Sequence, residues 1–152
     1  MNMLSETTSK EVFVELNDEH FIVKNFADVE MIINRAQQML SGRLWIGQDG
    51  GKRPLWQRML GLKRYVDSLF VIEWADEDAS LIFYDQDWSE YRALDKEIPR
   101  FPTETIRRKI AQGEDNPIDP GECLIKERAF TAIREFMKTR ERPRWLFYHF
   151  VK

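Results

Sequence analysis

The residues best suited to chemistry crowd into one stretch of this 152-residue chain. Between Glu73 and Glu97 stand nine acids, Glu73, Asp76, Glu77, Asp78, Asp85, Asp87, Glu90, Asp95 and Glu97, against two bases, Arg92 and Lys96. Paired carboxylates can serve as general acid and base, or hold a divalent cation, when they converge on a cleft. Most of these fall in turn-like sequence, where solvation is the default. A small carboxylate- or metal-dependent enzyme is therefore an alternative reading, and a generic protein-interaction adaptor is another. The same asymmetry offers an acidic surface to a basic partner, beside the plainer reading of a solvated face. Trp88, flanked by acids in Asp85-Gln-Asp-Trp-Ser-Glu90, is the type of residue that anchors an interface.

Other candidates are weaker. Gly47-Gln-Asp-Gly-Gly-Lys52 lacks the Gly-Lys-Ser/Thr ending of a phosphate cradle and opens no helix, so it reads as a turn. Cys123 precedes a helix, where a thiol pKa can fall, but no histidine is near in sequence and a small structural hydrophobe is the better reading. His149 alternates within an aromatic strand and reads as a packed or edge histidine. Ser68, Ser80 and Ser89 have no nucleophile-elbow context. Arg140, Arg142 and Arg144 decorate a helix end, where positive charge is favourable.

Composition bounds the rest. One cysteine excludes an internal disulfide, and with only His20 and His149 beside it there is no metal-ligand spacing, so no cofactor or metal is expected. A formal charge of −3 with 32% charged residues describes a mildly acidic, soluble, cytosolic protein with no basic excess for nucleic acid or an anionic membrane. Residues 1–10 lack an apolar signal core and are expected to be disordered, and no run approaches the ~20 apolar residues of a membrane span.

The elements that must position these residues form a single domain over residues 1–152. Alternation predicts a hairpin from Glu11 to Leu16 and His20 to Lys24. Asn25 or Asp28 caps a helix with Val29, Ile32, Ile33, Ala36 and Leu40 at helical spacing, closed by Ser41-Gly42. Leu44 to Ile46 is a short strand. Pro54 to Leu62 is open between loop and helical turn. Ser68–Ala75 and Ala79–Tyr84 are central strands around the acidic turn at Asp76-Glu77-Asp78. Tyr91 and the prolines Pro99 and Pro102 point to a loop. Thr103 to Gln112 leaves helix and strand open, and 113–121 is turn-rich. The clearest element begins at Leu124: Ile125, Ala129, Ala132, Ile133, Phe136 and Met137 make one apolar stripe, ending near Thr139 to Arg140 before Pro143. Trp145 to Val151 then reads as a strand inside the sheet. This order favours α+β, a mainly antiparallel sheet with two main helices packed on one face.

The segment Gly113 to Phe150 carries Pro117-Ile-Asp-Pro120, Ile125-Lys-Glu-Arg-Ala129, Ala132, Glu135-Phe136, Thr139, Arg142-Pro143 and Trp145 to Phe147. In these it resembles the C-terminal signature of the first-numbered Imm family, immunity proteins of bacterial polymorphic toxin systems. Upstream, Phe26 to Ala36 and Ala79 to Asp85 are similar to the family's first helix and central strand. The family usually has glycine after the threonine, where this chain has Arg140. The resemblance implies a strand over Thr105 to Ala111. It also implies a non-enzymatic protein that binds a cognate toxin domain, often a nucleic-acid deaminase or nuclease, and occludes its active site. Asp76, Glu77, Asp78, Asp85, Asp87, Trp88 and Glu90 are the expected toxin-contacting residues.

Overall fold

The computed structural model describes residues 11–52, 59, 64–85, 89–110 and 122–151, with backbone alone at 50–52 and 64–66. Residues 1–10, 54–58, 60–62 and 113–121, for which expectations were stated, fall outside them.

Polar two-residue turns set up the first strands. β1 (Val12–Leu16) and β2 (Glu19–Val23) turn through Asn17, at φ 54, whose side-chain oxygen accepts from the Arg43 amide at 3.0 Å. Asparagine tolerates this left-handed geometry, and its bond ties the hairpin to β3 (Ser41–Lys52). β4 (Arg64–Ala75) and β5 (Asp78–Tyr84) turn through Asp76, at φ 55. With β6 (Glu90–Leu94), β7 (Leu124–Ile125) and β8 (Phe147–Phe150), the described strands form one antiparallel sheet in the order β2-β1-β3-β4-β5-β6-β8. β7 pairs with β5 at Asp78 and Ala79, beyond the part of β5 that pairs with β6.

Two long helices cover one face, as the apolar spacing predicts. α1 (Phe26–Gln37) starts at Asn25, whose side chain accepts from the Asp28 amide at 2.9 Å, and buries Val29, Ile33 and Ala36. α3 (Lys126–Thr139) buries Ala129, Phe130, Ala132, Ile133, Phe136 and Met137. Beneath them lie Val12, Val14, Leu44, Ile46, Phe70, Ile72, Trp74, Leu81 and Phe83, the alternate side chains of β1, β3, β4 and β5. A short third helix, α2 (Glu104–Lys109), belongs to a smaller cluster with Ala75, Ile110 and Cys123, joined by Ile106. The register sends Ala75 and Ser80 to the side of the sheet opposite Trp74 and Ala79, and Ser80 Oγ donates to the Ile110 carbonyl at 2.8 Å. The α+β architecture, one antiparallel sheet with two main helices on one face, is thus the observed fold.

Several local expectations are corrected. Gly47 to Gly51 is not a turn: β3 runs through it, with register shifts after Ile46 and Asp49 that absorb the glycines as bulges. The Trp45 ring covers Gly47, where an added Cβ would sit 2.5 Å from ring carbons. Tyr91 lies in strand β6, not a loop, because the prolines begin only at Pro99. The strand expected over Thr105 to Ala111 is not found in its described residues, which end at Ile110: α2 occupies Glu104–Lys109, capped by Thr103 Oγ1 on the Ile106 amide and supported by a Glu104–Arg108 pair at 2.7 Å. Leu124 and Ile125 form β7 rather than the start of the last helix, and Leu40 lies outside α1, exposed. β8 is an edge strand among the described residues, not an internal one, so its aromatic Phe147 and Phe150 face solvent while Tyr148 packs on the core. Arg140 takes the left-handed cap without glycine, at φ 61, donating its amide to the Phe136 carbonyl at 2.6 Å.

Two substitutions test this packing. Phe130→Ala removes a fully buried ring stacked edge-on to Trp74 at 5.1 Å, and the expected loss is about 3–5 kcal/mol by denaturant unfolding. Gly47→Ala forces the Trp45 ring, held by its Nε1–H bond to Ser68 at 3.0 Å, out of place; the expected cost is about 1–3 kcal/mol, with Trp fluorescence altered in the folded state.

Candidate functional site

β5 divides the acidic segment. Asp76 and Glu77 form the turn before it and Asp85 follows its end, so the two groups stand roughly 26 Å or more apart at ~3.3 Å per residue. The structure therefore does not bring Asp76, Glu77, Asp78, Asp85 and Glu90 into one patch. Asp87 and Trp88 lie outside the described residues. Glu90 begins β6 opposite Tyr84, and its carbonyl accepts from the Val151 amide at 2.8 Å. Asp85 is exposed and accepts no side-chain bond among the described residues, while its amide donates to the Ser89 carbonyl at 3.0 Å and narrows the connection between β5 and β6.

The buried acids are tied to arginines. Asp78 is 7% exposed and accepts from Arg100 Nε at 2.7 Å, a bond that raises the Arg100 pKa against the opposing effect of desolvation. Asp95 is 1% exposed. Its Oδ1 accepts from the amides of Glu97 and Ile98 and from Arg128 Nη2 at 3.1 Å, and its Oδ2 accepts from Arg128 Nε. Glu97 adds a bond from Arg128 Nη2 at 3.0 Å, and together these partners raise the Arg128 pKa, the Asp95 bond most of all. The Arg128 guanidinium also lies 4.7 Å over the Trp145 ring. This cluster pins the chain after β6 to the first turns of α3.

A further charged group escaped the sequence reading. Arg92, 5% exposed on β6, points its Nε at Glu122 Oε2 at 3.2 Å, and His149 Nδ1 lies 3.4 Å from the same oxygen. Arg92 and His149 are cross-strand partners in the β6–β8 register. The only signal in sequence was the alternation of Arg92 with Tyr91 and Ala93, which is visible once the segment is known to be a strand.

The nucleophile candidates are positioned for structure. Cys123 is buried beside Ala75 and Ile110, not exposed at a helix end, and burial pushes its thiol up from 9.0 to about 11. Asp78 adds to that shift, against smaller opposing effects of Arg107 and Arg92. Ser80 donates to a backbone carbonyl and Ser68 accepts from Trp45. Among the described residues no three His, Cys, Asp or Glu side chains gather as a metal-ligating group, and no helix is long and apolar enough to cross a membrane. The chain matches no protein-family model and no curated protein.

Two expected outcomes follow from these environments. Asp95→Ala leaves Arg128 with Glu97 alone and two amides unsatisfied, which should cost about 2–3 kcal/mol in denaturant unfolding. The Cys123 thiol has a higher pKa folded than unfolded, so its neutral form favours the fold: that contribution is intact below pH 9.0 and is lost as pH climbs towards about 11. Iodoacetamide at pH 8 should accordingly leave native Cys123 unmodified while alkylating it in denaturant.

Proposed function

We propose that the protein is a non-catalytic inhibitor that binds a cognate toxin domain, of the nucleic-acid deaminase or nuclease kind, and occludes its active site. One observation carries the reading beyond the resemblance. Three carboxylates of low exposure, Asp78, Asp95 and Glu122, are each paired with an arginine of the same chain, whereas Asp76, Glu77 and Asp85 are exposed with no ion pair among the described residues. A catalytic acid or base needs access to substrate, and a carboxylate held inside the fold by an arginine lacks it. Exposed, unpaired acids speed capture of a basic surface and cost little to desolvate at an interface rim. The reading favours the Asp85–Glu90 end as the contact surface, because Asp87 and Trp88 belong to the same stretch and a tryptophan among acids supplies the buried anchor that sets complex lifetime.

The direct test is growth protection. Co-expression with the C-terminal domain encoded by the gene immediately upstream should restore growth that this domain alone arrests; unrestored growth with both proteins present removes the proposal. Within a protecting pair, replacing Asp85 and Asp87 by Asn together with Trp88→Ala should weaken binding by at least about 2 kcal/mol. Asp76→Asn with Glu77→Gln should change it by less than about 0.5 kcal/mol, with both variants melting like the parent protein.

A further inference from the structure

Ten of the described arginines fall into two groups. Seven between Arg35 and Arg134 lie within ion-pair distance of a carboxylate. Arg140, Arg142 and Arg144 have no such partner among the described residues, and all three line one concavity of about 510 Å³ where α3 ends. Unpaired guanidiniums scattered over a surface need no explanation. Three gathered at one cavity of ligand size do.

The segment that presents them is fixed on several sides. The Arg140 amide closes the helix on the Phe136 carbonyl, Thr139 Oγ1 accepts from the Glu141 amide at 3.1 Å, and Tyr148 donates its hydroxyl to the Pro143 carbonyl at 2.6 Å. Pro143 itself is buried. Arg140 occupies a left-handed position that glycine would fill without strain, yet its Nη1 reaches Gln48 Oε1 at 2.7 Å on the cavity wall. Desolvation lowers its pKa with no carboxylate to offset it. The Arg142 guanidinium lies 4.0 Å over the Tyr91 ring and 5.0 Å over Tyr148, and its Nη1 is buried with no hydrogen-bond partner. Stacking on two rings fixes the guanidinium of this cavity-lining residue. Leu69 and Phe136 give the cavity an apolar part, while Asp85 and Glu141 line it as acceptors.

We propose that this concavity binds a small phosphate monoester whose organic part carries hydroxyl or amino donors, with Arg140, Arg142 and Arg144 holding the phosphate and Asp85 and Glu141 accepting from the organic part. A phosphate monoester brings about −1.5 to −2 charge at neutral pH and three terminal oxygens, which match three guanidiniums better than the two oxygens of a carboxylate. The two lining carboxylates disfavour a bare dianion and favour an ester with donors. The site stands independently of the inhibitory role, since it needs no protein partner.

Calorimetric titration of the full chain with ribose 5-phosphate and with inorganic phosphate, at matched ionic strength, tests it. Ribose 5-phosphate should bind saturably at one per chain and more tightly than phosphate. Arg144→Gln, at an exposed position, should weaken it about tenfold or more, and Arg142→Gln likewise. Absence of saturable binding by ribose 5-phosphate, equal affinity for both probes, or unchanged affinity in the folded Arg144→Gln variant overturns the proposal. Binding of hexaglutamate with neither phosphate probe overturns it in favour of a docking patch for acidic protein segments.

Discussion

The fold hangs on the apolar stripe of α3 pressed against the centre of the sheet. Phe136 meets Phe70 at 5.9 Å and Phe83 at 5.1 Å, and nearly two turns back Phe130 meets the buried Trp74. Burying each such ring contributes about 1.5–3 kcal/mol, and the edge-on geometry adds to it. The contact also organises its polar neighbours. Trp74 Nε1 and Lys126 Nζ both donate to the Met39 carbonyl, at 2.9 and 2.8 Å, so the chain leaving α1 is held by the same tryptophan that α3 covers. Arg134 then reaches Glu30 at 3.0 Å and locks the two helices together over the core.

Charge is arranged around this contact in two ways. Inside, ion pairs act as fasteners: Asp95 with Arg128 fixes the chain after β6 to α3, Asp78 with Arg100 holds the segment that crosses the second face, and Glu122 joins Arg92 on β6. Each buried charge would be expensive alone, so these pairs specify where the connecting segments lie more than they add net stability. Outside, unpaired charges stand at both ends of β5, Asp76 and Glu77 before it and Asp85 after it, and at the end of α3. Asp85 lies on the border of both, in the acidic stretch and on the wall of the arginine-lined cavity. The surface left free for recognition is thus mixed in sign, while the acids of the same stretch that face inward are committed to the fold.

Periodicity made the long elements legible. The helical stripe of Ile133, Phe136 and Met137, and the paired apolar runs around Asp76, each point to one structure whatever the context. What escaped depended on tertiary pairing. Gly47 to Gly51 has the composition of a turn but runs as strand because β4 supplies a partner along its length. Tyr91 to Leu94 is too short to announce itself and forms only between β5 and β8. Over Thr105 to Ala111 the family resemblance pointed to a strand, whereas the local signals, a threonine cap and a Glu–Arg pair one turn apart, decided for helix. At the candidate site, counting acids identified the rich segment but could not see that β5 would carry Asp76 and Asp85 to opposite ends, nor that Arg140 to Arg144 would converge on Asp85 from the far end of the sequence.

The central functional claim is stoichiometric, non-catalytic inhibition, and the most direct measurement is the activity of the cognate toxin domain on its nucleic-acid substrate as this protein is titrated in. Activity should fall linearly to zero at one equivalent, with both polypeptides recovered at unchanged mass. Activity that persists past several equivalents, or that disappears at far below one equivalent with a chemical change in the toxin domain, would contradict it.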